Sequence, residues 1–193
     1  MTHSFFALIS RLRNIARWAL MRNSLSENVQ EHSHMTAVLA HALAVIRRDV
    51  YQIPCDPGAA AAAALFHDAS EILTGDMPTP IKYLNREITA AYKDAERQAQ
   101  NRLLATLPEL LRGAYRPLLD GGESEDTRAL VHAADKLAAY IKCLEEERAG
   151  NREFRQAGKQ TRERLEALGI PEVQYFLDNF MPAFELSLDE LEM

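Results

Sequence analysis

His67 and Asp68 are adjacent, Glu71 follows one helical turn later, and Asp76 stands just beyond Gly75, all within Leu65-Phe66-His67-Asp68-Ala69-Ser70-Glu71-Ile72-Leu73-Thr74-Gly75-Asp76-Met77-Pro78-Thr79-Pro80. Leu65, Phe66, Ile72 and Leu73 flank them, so an imidazole and carboxylates are carried toward apolar surroundings. Charge in such surroundings is costly unless it is paired, hydrogen-bonded or neutralised by a cation. One divalent ion would resolve that cost, since imidazole with carboxylate is a donor set that borderline-hard metals accept. The alternative is an amphipathic helix whose polar face carries these residues. Asp135 raises the same question further along. It falls among the apolar positions Leu130, Val131, Ala134, Leu137, Ala138 and Ile141, where a metal, a cap, a salt bridge or an edge position would each satisfy it. His132, one turn earlier, either approaches that site or lies at the surface.

Other residues carry chemistry less directly. His32, His34 and His41 share one predicted helix. His34 and His41 lie on a common face and read as packing or surface residues, whereas His32 points about 200° away from His34. Arg17-Trp18 sits where the helical rhythm of the first segment fails. Trp18 is either a core residue or a flat wall beside an anion clamp formed by Arg17. Lys82 is either a second cation for an anionic ligand or a solvated lysine after a turn. Cys55 and Cys143 match no zinc spacing and read as reduced packing thiols.

The elements that must position these groups are helical. Apolar residues recur at helical period over 4–15, then a loop or helix end carries Arg17-Trp18. Ser26 or Asn28 can cap a helix to about Arg48. Asp56-Pro57 starts a helix that the periodicity carries through six alanines to Gly75, and a long helical stretch opens at Lys82-Tyr83 and reaches about Leu107. One or two shorter helices follow over 108–120, a strong one over 123–149, a polar one to Leu168, and a last one from about Glu172. The aromatic stripe of that last helix, Tyr175, Phe176, Phe180 and Phe184, reads as core or as a subunit contact. Nothing alternates like a strand.

Bulk properties narrow the partners. The chain has 193 residues, 47% hydrophobic and 26% charged, the profile of one ordinary soluble domain. A net charge of −6 argues against a protein that coats nucleic acid. The apolar run 59–66 is too short to span a bilayer, and the first residues carry no cleavage-type pattern, so the expectation is a cytoplasmic protein without membrane or nucleic-acid polymer as partner.

The ordered set His32, His67-Asp68 and Asp135 on an all-α chain resembles the HD-domain superfamily of metal-dependent phosphohydrolases. Closer still, several segments are similar to the bacterial HD-domain 5'-deoxynucleotidases of the YfbR type. They are Arg17-Trp18, Glu27-Asn28-Val29-Gln30-Glu31-His32-Ser33, His67-Asp68-Ala69-Ser70-Glu71, Thr74 through Tyr83, Ala134-Asp135-Lys136-Leu137 and Phe184 through Glu190. The resemblance implies a single HD-type domain over 1–193 with about six to eight helices. It implies that His32, His67, Asp68 and Asp135 bind one divalent cation, with Co, Mn, Zn, Cu and Fe all compatible with the donors. It places Glu71 and Asp76 in the catalytic step, Arg17 on the 5'-phosphate, Trp18 against the sugar, and Asp68, Asp76, Met77, Pro78 and Thr79 in substrate contact. The implied activity is hydrolysis of deoxyribonucleoside 5'-monophosphates, selective against ribonucleotides, by a homodimer. Two alternatives accompany it: an HD phosphohydrolase for another nucleotide ester or anhydride, and a catalytically silent HD module that binds a nucleotide.

Overall fold

A computed structural model describes residues 2–82, 84–122 and 124–191, with the backbone but not the side chain of Thr79. Tyr83, within the loop motif, and Glu123, where the sequence reading starts a helix, lie outside the described residues. The order of elements is α1 (Phe5–Ile9), α2 (Val29–Val45), α3 (Pro57–Phe66), α4 (Glu71–Thr74), α5 (Thr79–Lys82), α6 (Arg86–Ala105), α7 (Glu109–Leu119), α8 (Glu125–Arg148), α9 (Arg155–Ala167) and α10 (Pro171–Asn179). A 3-10 segment, Ser10–Asn14, continues α1, a π turn, Ile46–Val50, ends α2, and 3-10 turns follow α10. No strand occurs among the described residues, where Ala16 and Asn28 form an isolated antiparallel bridge. The all-α expectation holds.

Three helices build the main core. Ala60, Ala63 and Ala64 of α3 are fully buried against Leu39, Ala40, Leu43 and Ala44 of α2 and Leu130, Ala133, Ala134, Leu137 and Ala138 of α8. Side chains this small let the three backbones approach closely, which is what brings residues from α2, α3 and α8 to one point. A second cluster, Phe5, Ala69, Leu103, Leu104, Leu107 and Leu119, packs α1, α6 and α7 under the turn after α3. Start signals act where the sequence puts them. Asp56 accepts the Ala59 amide at 3.1 Å with Pro57 at the first helical position. Asn28 and Glu31 form a reciprocal capping box at the start of α2.

Two helices expected to run on are broken. The sequence reading carries the α3 helix to Gly75, but α3 ends at Phe66 and a turn intervenes before α4. The Ala64 carbonyl there takes the His67 ring nitrogen Nδ1 at 2.7 Å and the His67 amide at 3.4 Å, so the chain tightens out of α geometry. Gly75 at φ +71° then ends α4, a conformation that suits a residue without Cβ. Likewise the stretch from Lys82 divides into α5 and α6, because Asn85 caps a fresh start by accepting the Ile88 amide at 2.8 Å. The aromatic stripe expected on the last helix is divided. Within α10 Phe176 is buried and Tyr175 packs on the core, whereas Phe180 follows its end and keeps 46% of its surface, and Phe184 packs on the core from a 3-10 turn. Cys143 is buried, and burial pushes its thiol up to about 12, as suits a packing residue.

Candidate active site

His32 on the first turn of α2, His67 and Asp68 in the turn after α3, and Asp135 in the middle of α8 converge. The His32 Nε2 atom lies 3.1 Å from Asp135 Oδ1 and 3.6 Å from Asp68 Oδ2, and His67 Nε2 lies 3.1 Å from the same Asp68 oxygen. One donor atom each from His32, His67 and Asp135 fall within 4.8 Å of one another. Their burial is graded. His32 is closed off completely, whereas the side chains of Asp68 and Asp135 keep 21% and 31% of their surface. The cluster therefore has a sealed back and an open front.

A divalent cation fits these donors. The His67 Nδ1 atom donates to the Ala64 carbonyl, which fixes the tautomer and leaves the Nε2 lone pair facing the cluster. That Nε2 is buried and makes no hydrogen bond among the described residues, although a carboxylate oxygen stands 3.1 Å away. Two imidazoles and two carboxylates crowded at such distances, with the His67 Nε2 among them left without a hydrogen bond, are what a shared cation would resolve. Without it the groups pair with each other. Burial opposes charge on the His67 ring, but Asp68 and Asp135 outweigh it and raise the ring to about 9. Burial likewise opposes charge on Asp68, and His67 with His32 brings it down to about 2; Asp135 is held below the usual carboxylate range mainly by its hydrogen bond to His32.

The front of the cluster is built by the loop between α1 and α2 and by the segment after α4. The Arg17 guanidinium reaches Asp68 Oδ2 at 3.4 Å through NH1 and Glu27 Oε2 at 3.1 Å through Nε. Trp18 adopts φ +57°, an unusual conformation for a bulky residue. Its Nε1 donates to Glu27 Oε2 at 3.0 Å, and its ring packs against Phe154 at 5.3 Å. Glu71 is buried, with Oε2 lacking any hydrogen-bond partner among the described residues. Its carboxyl is pushed up to about 9 by burial and then by the charges of Asp68 and Asp76. Burial also raises Asp76, with Arg17 acting against the shift and Asp68 with it. Lys82 points its ammonium to Glu96 at 2.8 Å and over the Tyr92 ring, which engages the cation the sequence reading offered as a second anion contact.

Beyond this front opens a cleft of about 530 Å³, lined by Trp18, Met21, Asp76 and Pro78 on one side and by Gln160, Thr161 and Arg164 of α9 on the other. Met77 beside it is half-buried, and the Thr79 side chain is outside the described set. His34, His41 and His132 are exposed, in line with the surface reading of the first two, and His132 feels the charge of Asp135 one turn on without joining the donor cluster. Sequence reasoning missed Glu27, which holds Arg17 and Trp18 together, and the α9 wall. A signal existed for the wall, because Ala157, Gln160, Thr161 and Arg164 fall at helical spacing on one face.

Comparison with known proteins gives concordant results. The family model described as 5'-deoxynucleotidase YfbR-like matches residues 4–184. A 5'-deoxynucleotidase from Cronobacter sakazakii is 50% identical over 188 residues, 97% of this chain and 94% of that protein. Among solved structures, an HD-domain phosphohydrolase from Listeria innocua superposes with a TM-score of 0.81 at 25% identity, covering 94% of this chain and 88% of the other. A cyanophage S-2L HD phosphohydrolase, solved with dA and one catalytic Zn2+ ion, superposes with a TM-score of 0.65 over 94% of this chain and 99% of its own; at 16% identity this is a likeness of fold.

Proposed function

The chain belongs to the YfbR-like 5'-deoxynucleotidase family, and from that membership we propose that it hydrolyses deoxyribonucleoside 5'-monophosphates to deoxyribonucleosides and phosphate with one divalent cation. The observation that carries this reading is the convergence of His32, His67, Asp68 and Asp135, with Arg17 on Asp68 and its chain neighbour Trp18 walling a cleft together with Asp76. Those four side chains hold the cation. When bound, it supplies Lewis-acid activation of water and of the phosphate.

The other residues divide the remaining work. Arg17 presents a planar fork of donors to the phosphate and offsets charge as the P–O5' bond breaks. Asp68 is shared between Arg17 and both histidines, so it aligns the phosphate-binding cation with the ligand cluster. Glu71, with an unpartnered buried oxygen, is held protonated up to about 9 by burial and by the charges of Asp68 and Asp76. With that charge offset by a cation it would ionise and take the proton of the attacking water as the water oxygen bonds to phosphorus. Asp76 lies on the cleft side, where the nucleoside departs, and gives its proton to the 5'-oxygen; its raised affinity for that proton suits the role. Trp18 is fixed by Glu27 and Phe154, so its ring sets a rigid limit against the sugar and leaves an added 2'-hydroxyl without room or partner. Met77, Pro78 and Thr79 continue the substrate wall, and the cleft between Trp18 and α9 takes the nucleoside.

The reading includes a cytoplasmic location and a homodimer. Supporting them, no helix among the described residues is long and apolar enough to cross a membrane, and Phe180, Leu186 and Leu188 expose apolar surface at the C-terminal end. The deciding experiment is a phosphate-release screen on chelator-treated protein. Deoxy- and ribonucleoside 5'-monophosphates, 3'-monophosphates and triphosphates are each tested with Mn, Fe, Co, Zn and Cu. Metal-dependent release from deoxyribonucleoside 5'-monophosphates, well above the ribose forms, is the expected result. Release that ignores the metal, or is as fast from triphosphates, overturns it.

A further inference from the structure

Lys142 and Glu146 on α8 are buried at 3% and 0% exposure, away from the candidate metal ligands. A buried ion pair contributes little net stability against an apolar replacement, so what else it holds becomes the question. Here it holds a loop. Glu146 accepts the Ser24 amide at 2.8 Å, the Leu25 amide at 3.0 Å and the Asn151 side chain at 2.8 Å, while Lys142 donates to Glu146 and to the Leu25 carbonyl. Asn151 also donates to the Arg22 carbonyl at 2.6 Å. The same loop carries Arg17 and Trp18, and Asn23 ties back to the Trp18 carbonyl at 3.2 Å. Phe154, on which the Trp18 ring rests, lies 5.6 Å from the Lys142 ammonium.

The spacing along α8 completes the picture. Asp135 and Glu146 are eleven residues apart, three helical turns, so both project from one face about 16 Å apart along a rigid rod. At its middle α8 supplies a candidate ligand, and near its C-terminal end it grips the main chain of the loop bearing the phosphate fork and the sugar wall. We propose that Glu146, with Lys142 and Asn151, is a positioning site that sets the distance and angle of Arg17 and Trp18 relative to the metal cluster. This rests on the reading that Trp18 faces the sugar. Glu146 touches no substrate; it acts through the loop.

Trp18 is the only tryptophan of the chain, so its fluorescence reads the loop directly, without activity. In zinc-loaded protein, Glu146→Gln replaces an acceptor of several donors by an amide that must turn one N–H toward them. The expected result is red-shifted emission and greater acrylamide quenching, with zinc content and far-UV circular dichroism unchanged. The dAMP/AMP ratio of kcat/KM falls about tenfold, the low end of the discrimination that steric fit in a pocket supplies. Asn151→Ala, which removes the bond to the Arg22 carbonyl of the loop and the bond to Glu146 while keeping the ion pair, shows smaller changes of the same sign, and decides the matter if Glu146→Gln does not fold. Wild-type emission and quenching in the folded variants would overturn the proposal. Trp18→Ala is measured in parallel. An unchanged ratio in that variant refutes the sugar role, leaving fluorescence to judge the anchor. A ratio moved by Trp18→Ala but not by the Glu146 and Asn151 variants refutes the anchor.

Discussion

Asp68 is the residue on which most contacts meet, since one of its oxygens lies within 3.6 Å of both histidines and of Arg17. Removing it as Asp68→Ala should abolish both metal content and turnover, checked by elemental analysis beside phosphate release. A variant that keeps stoichiometric metal contradicts the ligand role. Glu71→Ala should separate the two, retaining metal while turnover falls roughly 10²-fold or more, the usual cost of a lost general base. Full activity in that variant removes Glu71 from the proton transfer. The His67-Asp68 pair was legible at once because adjacency in an apolar run is visible in one dimension. Glu27 was not, because its value lies in accepting from Arg17 Nε and Trp18 Nε1 together, a fact of three-dimensional convergence.

At the scale of elements, His32 and the His67-Asp68 pair depend on how a helix begins or ends, while Asp135 is carried in the interior of α8. The capping box of Asn28 and Glu31 fixes the first turn of α2, which carries His32. Asn28→Ala should lower unfolding stability by about 1 kcal/mol in chemical denaturation while leaving metal content intact. A loss well beyond that range would mean that the cap also holds the Ala16 bridge and the loop with Arg17. Caps such as Asn28 and Asp56 act within three residues, so their sequence signals are short-range and readable, and the same kind of signal at Asn85 is overlooked inside a stretch read as one continuous helix. The break after Phe66 was not readable, because it depends on the His67 ring turning back to the Ala64 carbonyl. Helical periodicity continues through that point, and only the side-chain hydrogen bond diverts the chain.

For the whole molecule, protons, metal and folding are linked. The His67 ring rises from 6.5 to about 9 in the fold, so its stabilisation is complete below about pH 6.5 and lost as pH rises through 9. Glu71, raised from 4.5 to about 9 mainly by burial, has the same sign, its contribution fading as pH climbs toward 9. Asp68, lowered from 3.8 to about 2, works oppositely and is lost only as pH falls through 2. Metal-stripped protein should therefore melt at lower temperature at pH 9 than at pH 6.5. Because a bound cation displaces the His67 proton, added metal should raise Tm more at pH 9. Thermal scans with chelator and with zinc at both values check this, and a larger metal effect at pH 6.5 contradicts it. The all-α class, the helix starts at Asn28 and Asp56, and the family were legible in the sequence alone, because periodicity, caps and motif residues are encoded locally. Tertiary structure decided what shares a point in space. Small alanines let α2, α3 and α8 close around one cluster, α9 became a cleft wall, and a buried carboxylate on α8 came to hold the loop of Trp18. These outcomes depend on contacts between residues far apart in the chain, which no local pattern specifies.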